Sequence, residues 1–501
     1  MGVIQRQGIK YSIVNFTGLA IGMASTVFVY SRAEVVEAYG LVQFLLSIGI
    51  IGFPLFALAS NSVAIRFFPN FQDKAKAHNG FLPLLLYMTL AGWGICALTV
   101  LLAHEPIERL IGQNSGTTKQ YLWVAFPLTL FFTMGMVLVQ YASNFKRIVV
   151  PSILFDFSLK ILMPAMMVAI WLKWIDLEIA LYWLLIHYLL VVIGMAVYLR
   201  SLGEWTLRPN WAFLTPELLR EIARYAGFGV VTGISVLLVS KADTLLVGPM
   251  TTMQKNGFYA IALNIATAID IPTRGLLGTS ASFVARYLAD ENWTEMRSLY
   301  RKVSINLLAA GLLIFGCIWI SADDLYAMMA NGEEAAQGKS VLLILGAAKL
   351  FDMASGMNNQ LVYYSRYYRF SMISLVLLAA ANICFNIWLI PRLGLAGAAV
   401  STLLSMFLYN LSGLFVVWRK FHMQPFSGNT LRIIGLAAIA LAAIWFLPST
   451  PFPLLNITLR SGLFSLIFTV LVLRFRVSAD INQLWQDLLT RLRKTTTASD
   501  T

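Results

Sequence analysis

Ionisable residues inside long apolar runs are where this chain can do chemistry. Asp156 and Lys160 stand four apart, Asp270 and Arg274 four apart, and Lys349 and Asp352 three apart, each pair in an otherwise apolar stretch. On a helix these spacings put both charges on one face, where they can pair. Lys241 and Asp243 are two apart. They point in different directions and need partners on other helices. Arg460 is isolated in its run. A charge in hydrocarbon is costly and faces a cavity or a partner. Five basic residues (Lys160, Lys241, Arg274, Lys349, Arg460) against four acidic ones describe a cationic cavity suited to an anionic headgroup. The carboxylates Asp270, Asp243, Asp352 and Asp156 are candidates to bind a proton or Na⁺. The other reading of any one pair is structural: it neutralises itself, at little gain in stability.

Neutral polar groups add a second set of candidates. Asn358, Asn359 and Gln360, with Tyr363 and Tyr364, share one run. Amides and aromatic rings suit a sugar, and hydrogen bonding between helices explains them equally well. His187 is either a proton relay or a hydrogen-bonded histidine between helices. Pro54, Pro127, Pro164 and Pro272 can bend helices and free carbonyls. Cys96, Cys317 and Cys384 sit inside apolar runs with no metal or disulfide spacing. There is no phosphate-loop GK[ST] triplet and no HExxH. No catalytic residue, metal site or cofactor is expected, and the chain does not read as an enzyme.

The elements that hold these residues are membrane spans. The chain has 501 residues, 58% hydrophobic and 12% charged, so an all-α polytopic membrane protein is expected. A span needs about 20 apolar residues. About fourteen are expected, near 11–31, 39–65, 81–103, 120–143, 150–172, 178–199, 225–248, 257–285, 303–321, 340–364, 370–390, 394–418, 431–448 and 453–473. The split at Pro391 is the least defined. The first run is long enough to span and reads as a first helix, not a cleaved signal. With the N-terminus inside, 25 of the 37 Lys and Arg fall on the cytoplasmic side and seven opposite. This is the positive-inside pattern, and it accounts for the net charge of +13 without nucleic acid. Both termini are expected inside. After Arg474 a short amphipathic helix (INQLWQDLL) and a disordered polar end are expected.

The chain also echoes itself. Tyr39, Ser60, Ser62 and Arg66 recur as Tyr259, Ser280, Ser282 and Arg286, and Ile170-Trp171-Leu172 as Ile387-Trp388-Leu389. Spans one to six match seven to twelve, and the last two are an addition. Six spans per repeat place both halves in the same orientation. The expected organisation is an N-terminal lobe at 1–200, a cytoplasmic linker at 201–224, and a C-terminal lobe at 225–420. Helices thirteen and fourteen at 421–475 and a tail at 476–501 complete it. Ile50 and Pro54 stand where the second copy has Asp270 and Arg274, so the charges belong to the second half's task and the shared serines and arginines to the scaffold.

GIKYSIVNFTGLAIG, LFDMASGMNNQLVYYSRYYRF (350–370) and IPRLGLAGAAVSTLLS (390–405) resemble the bacterial polysaccharide transporter family. These are O-antigen type lipid-linked oligosaccharide flippases of the multidrug/oligosaccharidyl-lipid/polysaccharide (MOP) exporter superfamily. The likeness covers nearly the whole chain, and its motifs are diffuse. It implies a V-shaped, two-lobed, alternating-access transporter in the bacterial cytoplasmic (inner) membrane. The implied cargo is an undecaprenyl-pyrophosphate-linked oligosaccharide for surface polysaccharide such as lipopolysaccharide. The implied cationic cavity falls to Arg274, Lys349, Lys241 and Lys160. Arg274 is expected to meet the pyrophosphate, and Asp270 to hold it or titrate between cycles. The cores of spans one and two are uncharged, with Arg32 and Arg66 at their ends, which departs from the lipid II branch. The two added spans resemble the flippase branches, not the twelve-span drug exporters. H⁺ or Na⁺ is the expected coupling ion, a polysaccharide polymerase an associated protein, and the monomer the expected state. The alternatives are an H⁺- or Na⁺-coupled multidrug or metabolite exporter, which carboxylates would dominate, and a membrane polysaccharide polymerase or ligase, which the short outer loops disfavour.

Overall fold

The computed structural model describes residues 3–102, 120–145, 147–483, 485–487 and 490, with the backbone alone at 3–13, 75, 282 and 368. The 104–119 connection with Arg109 and Lys119, Lys146, and the polar end at 491–501 lie outside the described residues. The amphipathic tail stretch is helical where it is described, at 479–483 and 485–487.

Seventeen helices carry the argument. In chain order they begin with α1 (Val3–Phe28), α2 (Ala33–Phe56), α3 (Ser60–Arg66), α4 (Phe81–Leu102), α5 (Ala125–Ser143), α6 (Ser158–Trp171) and α7 (Leu177–Ser201). Then come α8 (Pro216–Met250), α9 (Met253–Ala266), α10 (Ile271–Ala289), α11 (Trp293–Ala327), α12 (Gln337–Ser355) and α13 (Asn358–Tyr364). The last are α14 (Tyr368–Leu393), α15 (Leu395–Phe421), α16 (Gly428–Trp445) and α17 (Pro453–Arg474). Among the described residues, 12 helical stretches are long and apolar enough to cross a membrane, 13 if the bent pair ending in α13 counts as one span. Against the fourteen expected, the difference is α1, whose described apolar part, Val14–Phe28, is shorter.

Local chemistry explains where the helices break. Pro54 lies in the last turn of α2, and Leu58 and Ala59 follow in the left-handed region (φ 46° and 51°). The expected 39–65 span is therefore two helices. In the expected 257–285 span the break is a 3₁₀ turn, Thr267–Asp270, before α10, with Pro272 in the first turn of that helix. Pro391 lies inside α14, in its last turn, and does not end it. The break falls at Gly394, φ 59°, a conformation that suits glycine at a helix C-terminus. The 35-residue helices α8 and α11 are about 50 Å long and outreach a hydrocarbon core of about 30 Å. Their extra length is the charged N-terminal stretch of each, capped by Thr215 and by Asn292.

The chain divides into two compact units, residues 1–261 with 379–398, and residues 262–378 with 399–501. In the first unit α2 is the hub. It packs along α8 and against α5, and its buried face runs from Val35 to Pro54. Gly40 lets α9 approach, since a Cβ there would collide with the Met253 carbonyl. Asn256 Nδ2 donates to the Gly40 carbonyl at 2.9 Å. In the second unit α11 is the hub. On one side Tyr300, Leu307 and Phe315 join Ile269, Met353 and Leu361. On the other, Leu308 meets Ile433 of α16 and Phe464 and Phe468 of α17. Asn306 of α11 also ties down the tail, donating to Asp480 at 2.8 Å and accepting from Ser478 at 2.6 Å.

Candidate functional site: two carboxylate clusters

The second unit gathers Asp270, Lys349 and Asp352. Asp270 ends the 3₁₀ turn and Lys349 and Asp352 lie on α12. The Lys349 ammonium bonds the Asp270 carboxylate, with each side chain 20% exposed. The pairing differs from both expected same-helix pairs. Arg274 is exposed one turn into α10, with no ion-pair partner among the described residues, while Asp270 faces α12. Asp352 takes its hydrogen bond from another helix, as Asn410 Nδ2 of α15 donates to Oδ1 at 2.9 Å.

Asn410 is the centre of an amide relay. Its Oδ1 accepts from Asn358 Nδ2 at 3.3 Å and Asn359 Nδ2 at 3.2 Å. Its carbonyl accepts from Asn358 Nδ2 at 3.1 Å. Gln360 Nε2 donates to the Leu277 carbonyl at 3.3 Å. Asn358 is buried, so bonding between helices occupies it. The α12–α13 bend of 54° sets these three side chains against α15 and α10. Gly356 makes the bend with φ 66° and ψ −125°.

The first unit holds the other cluster. Asp243 of α8 is buried. Its Oδ2 accepts from the Tyr259 hydroxyl at 2.6 Å. Its Oδ1 accepts from Asn386 Nδ2 at 2.8 Å and Asn382 Nδ2 at 3.5 Å. A carboxylate ringed by a phenol and two amides can hold a proton or a small cation. Lys241, two residues away, is half-buried with no ion-pair partner among the described residues.

The remaining candidates lie apart from these clusters. Asp156 and Lys160 are not within ion-pair distance among the described residues. Asp156 sits in a π turn, Ile153–Phe157, whose wider winding shifts the register between them. Asp156 meets Ser152 Oγ at 3.5 Å, and the Lys160 stem lies against Gly18 of α1. His187 packs against Tyr188, and its Nε2 is buried without a hydrogen-bond partner among the described residues. Arg460 is not isolated, because Asp324 Oδ2 lies 3.5 Å away and the Leu447 carbonyl accepts from it at 3.0 Å. Arg32 stacks over Trp171 at 3.5 Å and Arg66 over Tyr225 at 4.8 Å. Asn410, Asn382, Asn386 and Asp324 escaped the sequence reading. The signal was there: Asn382 and Asn386 are four apart in an apolar run.

The architecture belongs to a known class. The chain superimposes on the lipid II flippase MurJ in an inward closed conformation with TM-score 0.69 at 14% identity, covering 94% of this chain and 100% of that one. On an inward-facing multidrug resistance MATE family transporter of the MOP superfamily, the TM-score is 0.63 at 15% identity, covering 84% and 98%. The protein thus has the MurJ/MATE fold, an all-helical multi-pass membrane fold. In sequence it is similar to the probable flippase AglR of Haloferax volcanii, 24% identical over 267 residues, 52% of this chain and 55% of AglR. The chain spans about half the length of that curated relative. No family model matches it.

Proposed function

We propose that the protein is a flippase. It carries an undecaprenyl-pyrophosphate-linked oligosaccharide from the cytoplasmic to the outer leaflet of the bacterial cytoplasmic membrane, for surface polysaccharide synthesis such as O-antigen. The observation that carries this reading is the Lys349–Asp270 pair, an ammonium held among apolar helices with Arg274 one turn away. A lipid tail stays in hydrocarbon while its headgroup needs a polar path, and cationic groups there compensate the pyrophosphate charge. Lys349 supplies that charge in the second unit and Lys241 and Lys160 in the first, and the half-buried Asn359 and Gln360 are the sugar contacts, since bonds between helices occupy the buried Asn358. Two six-helix repeats with α16 and α17 added, both termini cytoplasmic, a monomeric state and a polymerase as neighbour belong to the same proposal. The likeness to AglR, a probable flippase, and to MurJ, a lipid II flippase, supports the class. In a deletion strain, lipid-linked units should accumulate on the inner leaflet. Accumulation on the outer leaflet would point to a polymerase instead.

A second reading, a cation-coupled exporter, is favoured by the Asp243 cluster, whose carboxylate has a phenol and amides as neighbours. Within the flippase reading the same cluster, with Asp270, Asp352 and Asp156, is where H⁺ or Na⁺ would couple. Drug accumulation in a sensitive host separates the two readings.

A further inference from the structure

We propose that Asp270 is a carboxylate with two partners. It holds Lys349 while the site is empty, and it passes to Arg274 when a phosphate group of the ligand takes its place on Lys349. The inference rests on the reading of this site as one for a diphosphate headgroup.

Three observations carry it. First, Asp270 is the carboxylate that an incoming anion must displace. Asp352 is as near to Lys349 in sequence, yet its carboxylate is bonded by Asn410, which Asn358 and Asn359 fix in turn. Lys349 bonds Asp270 instead, and with each side chain 20% exposed a ligand can reach the pair. Second, Asp270 is not tethered to the backbone. It is the N-cap residue of α10, yet its side chain makes no capping hydrogen bond. A capping carboxylate takes the N–H of the second or third helical residue; Pro272, at the second, has none to give, and that of Thr273, at the third, is not taken by Asp270. The carboxylate is left to a side-chain partner. Third, a second partner stands ready. Arg274 is four residues on, exposed, and without an ion-pair partner among the described residues. Across four residues of a helix the two charges can meet.

The exchange keeps every charge paired. In the empty site the carboxylate neutralises Lys349. With ligand bound, the phosphate does so, and Arg274 neutralises the displaced carboxylate. Without Arg274, the displaced Asp270 would be an unpaired charge among apolar helices, which is costly. Arg274 therefore acts through Asp270 and is a positioning residue for the headgroup. The same-helix spacing and the observed pair across helices are two states of one carboxylate.

The test is a pair of mutant cycles on the purified full-length protein in detergent micelles, with geranyl pyrophosphate as the probe. Asp270→Asn removes the competing anion and should tighten binding about tenfold. Arg274→Gln should weaken binding several-fold in the wild-type background and leave Asp270→Asn unchanged. Lys349→Gln should abolish binding in both backgrounds. If Arg274→Gln weakens the Asp270→Asn variant as much as the wild type, Arg274 touches the phosphate itself and the exchange is wrong. The second cycle needs no ligand. Arg274→Gln should leave the melting temperature of the wild type unchanged and lower that of Lys349→Gln, where it takes the last partner of Asp270. Equal effects in both backgrounds would remove the exchange. Non-additive melting with no probe binding to the wild type or Asp270→Asn would keep the partner exchange but remove the diphosphate ligand, and the proposed function with it.

Discussion

Asn410 does for Asp352 what Asp270 does for Lys349: it supplies a partner from another helix for a polar group that its own helix leaves unsatisfied. Replacing Asn410 by Ala removes the donor at 2.9 Å from Asp352 and the acceptor shared by Asn358 and Asn359. A buried group left unpaired costs about 1–3 kcal/mol, so Asn410→Ala should lower stability by about that much, read as a fall in the thermal midpoint in detergent. An unchanged midpoint would mean that the relay is not structural. At this scale the sequence showed the rare residues and hid their partners. Asp270, Lys349 and Asp352 stood out because charges are expensive in apolar runs. Asn410 and Asn386 did not, because neutral amides cost less and carry no sign to match. Same-helix spacing named Arg274 as the partner of Asp270, and no spacing rule could find Lys349, 79 positions away.

Among the elements, the positions of the breaks decide what the charges do. Of the two stretches read from the sequence as copies, the first breaks after Pro54 at Leu58 and Ala59 and the second at the 3₁₀ turn ending in Asp270. Proline spacing hinted at both, but not at which residue would face a neighbour. The α12–α13 bend is a sharper case. Apolar length alone read 340–364 as one span, and Gly356 turns it by 54°. A Cβ on Gly356 would lie 2.9 Å from Ser304 Cβ, at a φ of 66° that L-residues rarely adopt. Gly356→Ala should therefore destabilise the protein by about 1–3 kcal/mol. It should also expose the Asn358–Asn410 contact, so that a cysteine introduced at Asn358 labels faster than in the parent. Unchanged labelling would show that the bend does not depend on glycine.

Across the whole molecule, apolar length and composition were enough to identify a helical multi-pass membrane protein, because twenty-residue apolar runs have few other uses. Fold class was legible for that reason, and the resemblance in diffuse motifs pointed to the superfamily whose fold the chain shares. How the polar groups are distributed was not legible, because a helix face shows its neighbour only after packing. In the proposed function, Lys349, a cationic group of the second unit, is required to carry a lipid-linked diphosphate across the bilayer. The most direct measurement is transbilayer movement of a fluorescent prenyl-diphosphate oligosaccharide in proteoliposomes, comparing wild type with Lys349→Gln at equal protein density. Rapid loss of inner-leaflet label is expected with the wild type and a rate at least about tenfold slower with the variant. Equal rates for the two proteins would contradict that requirement.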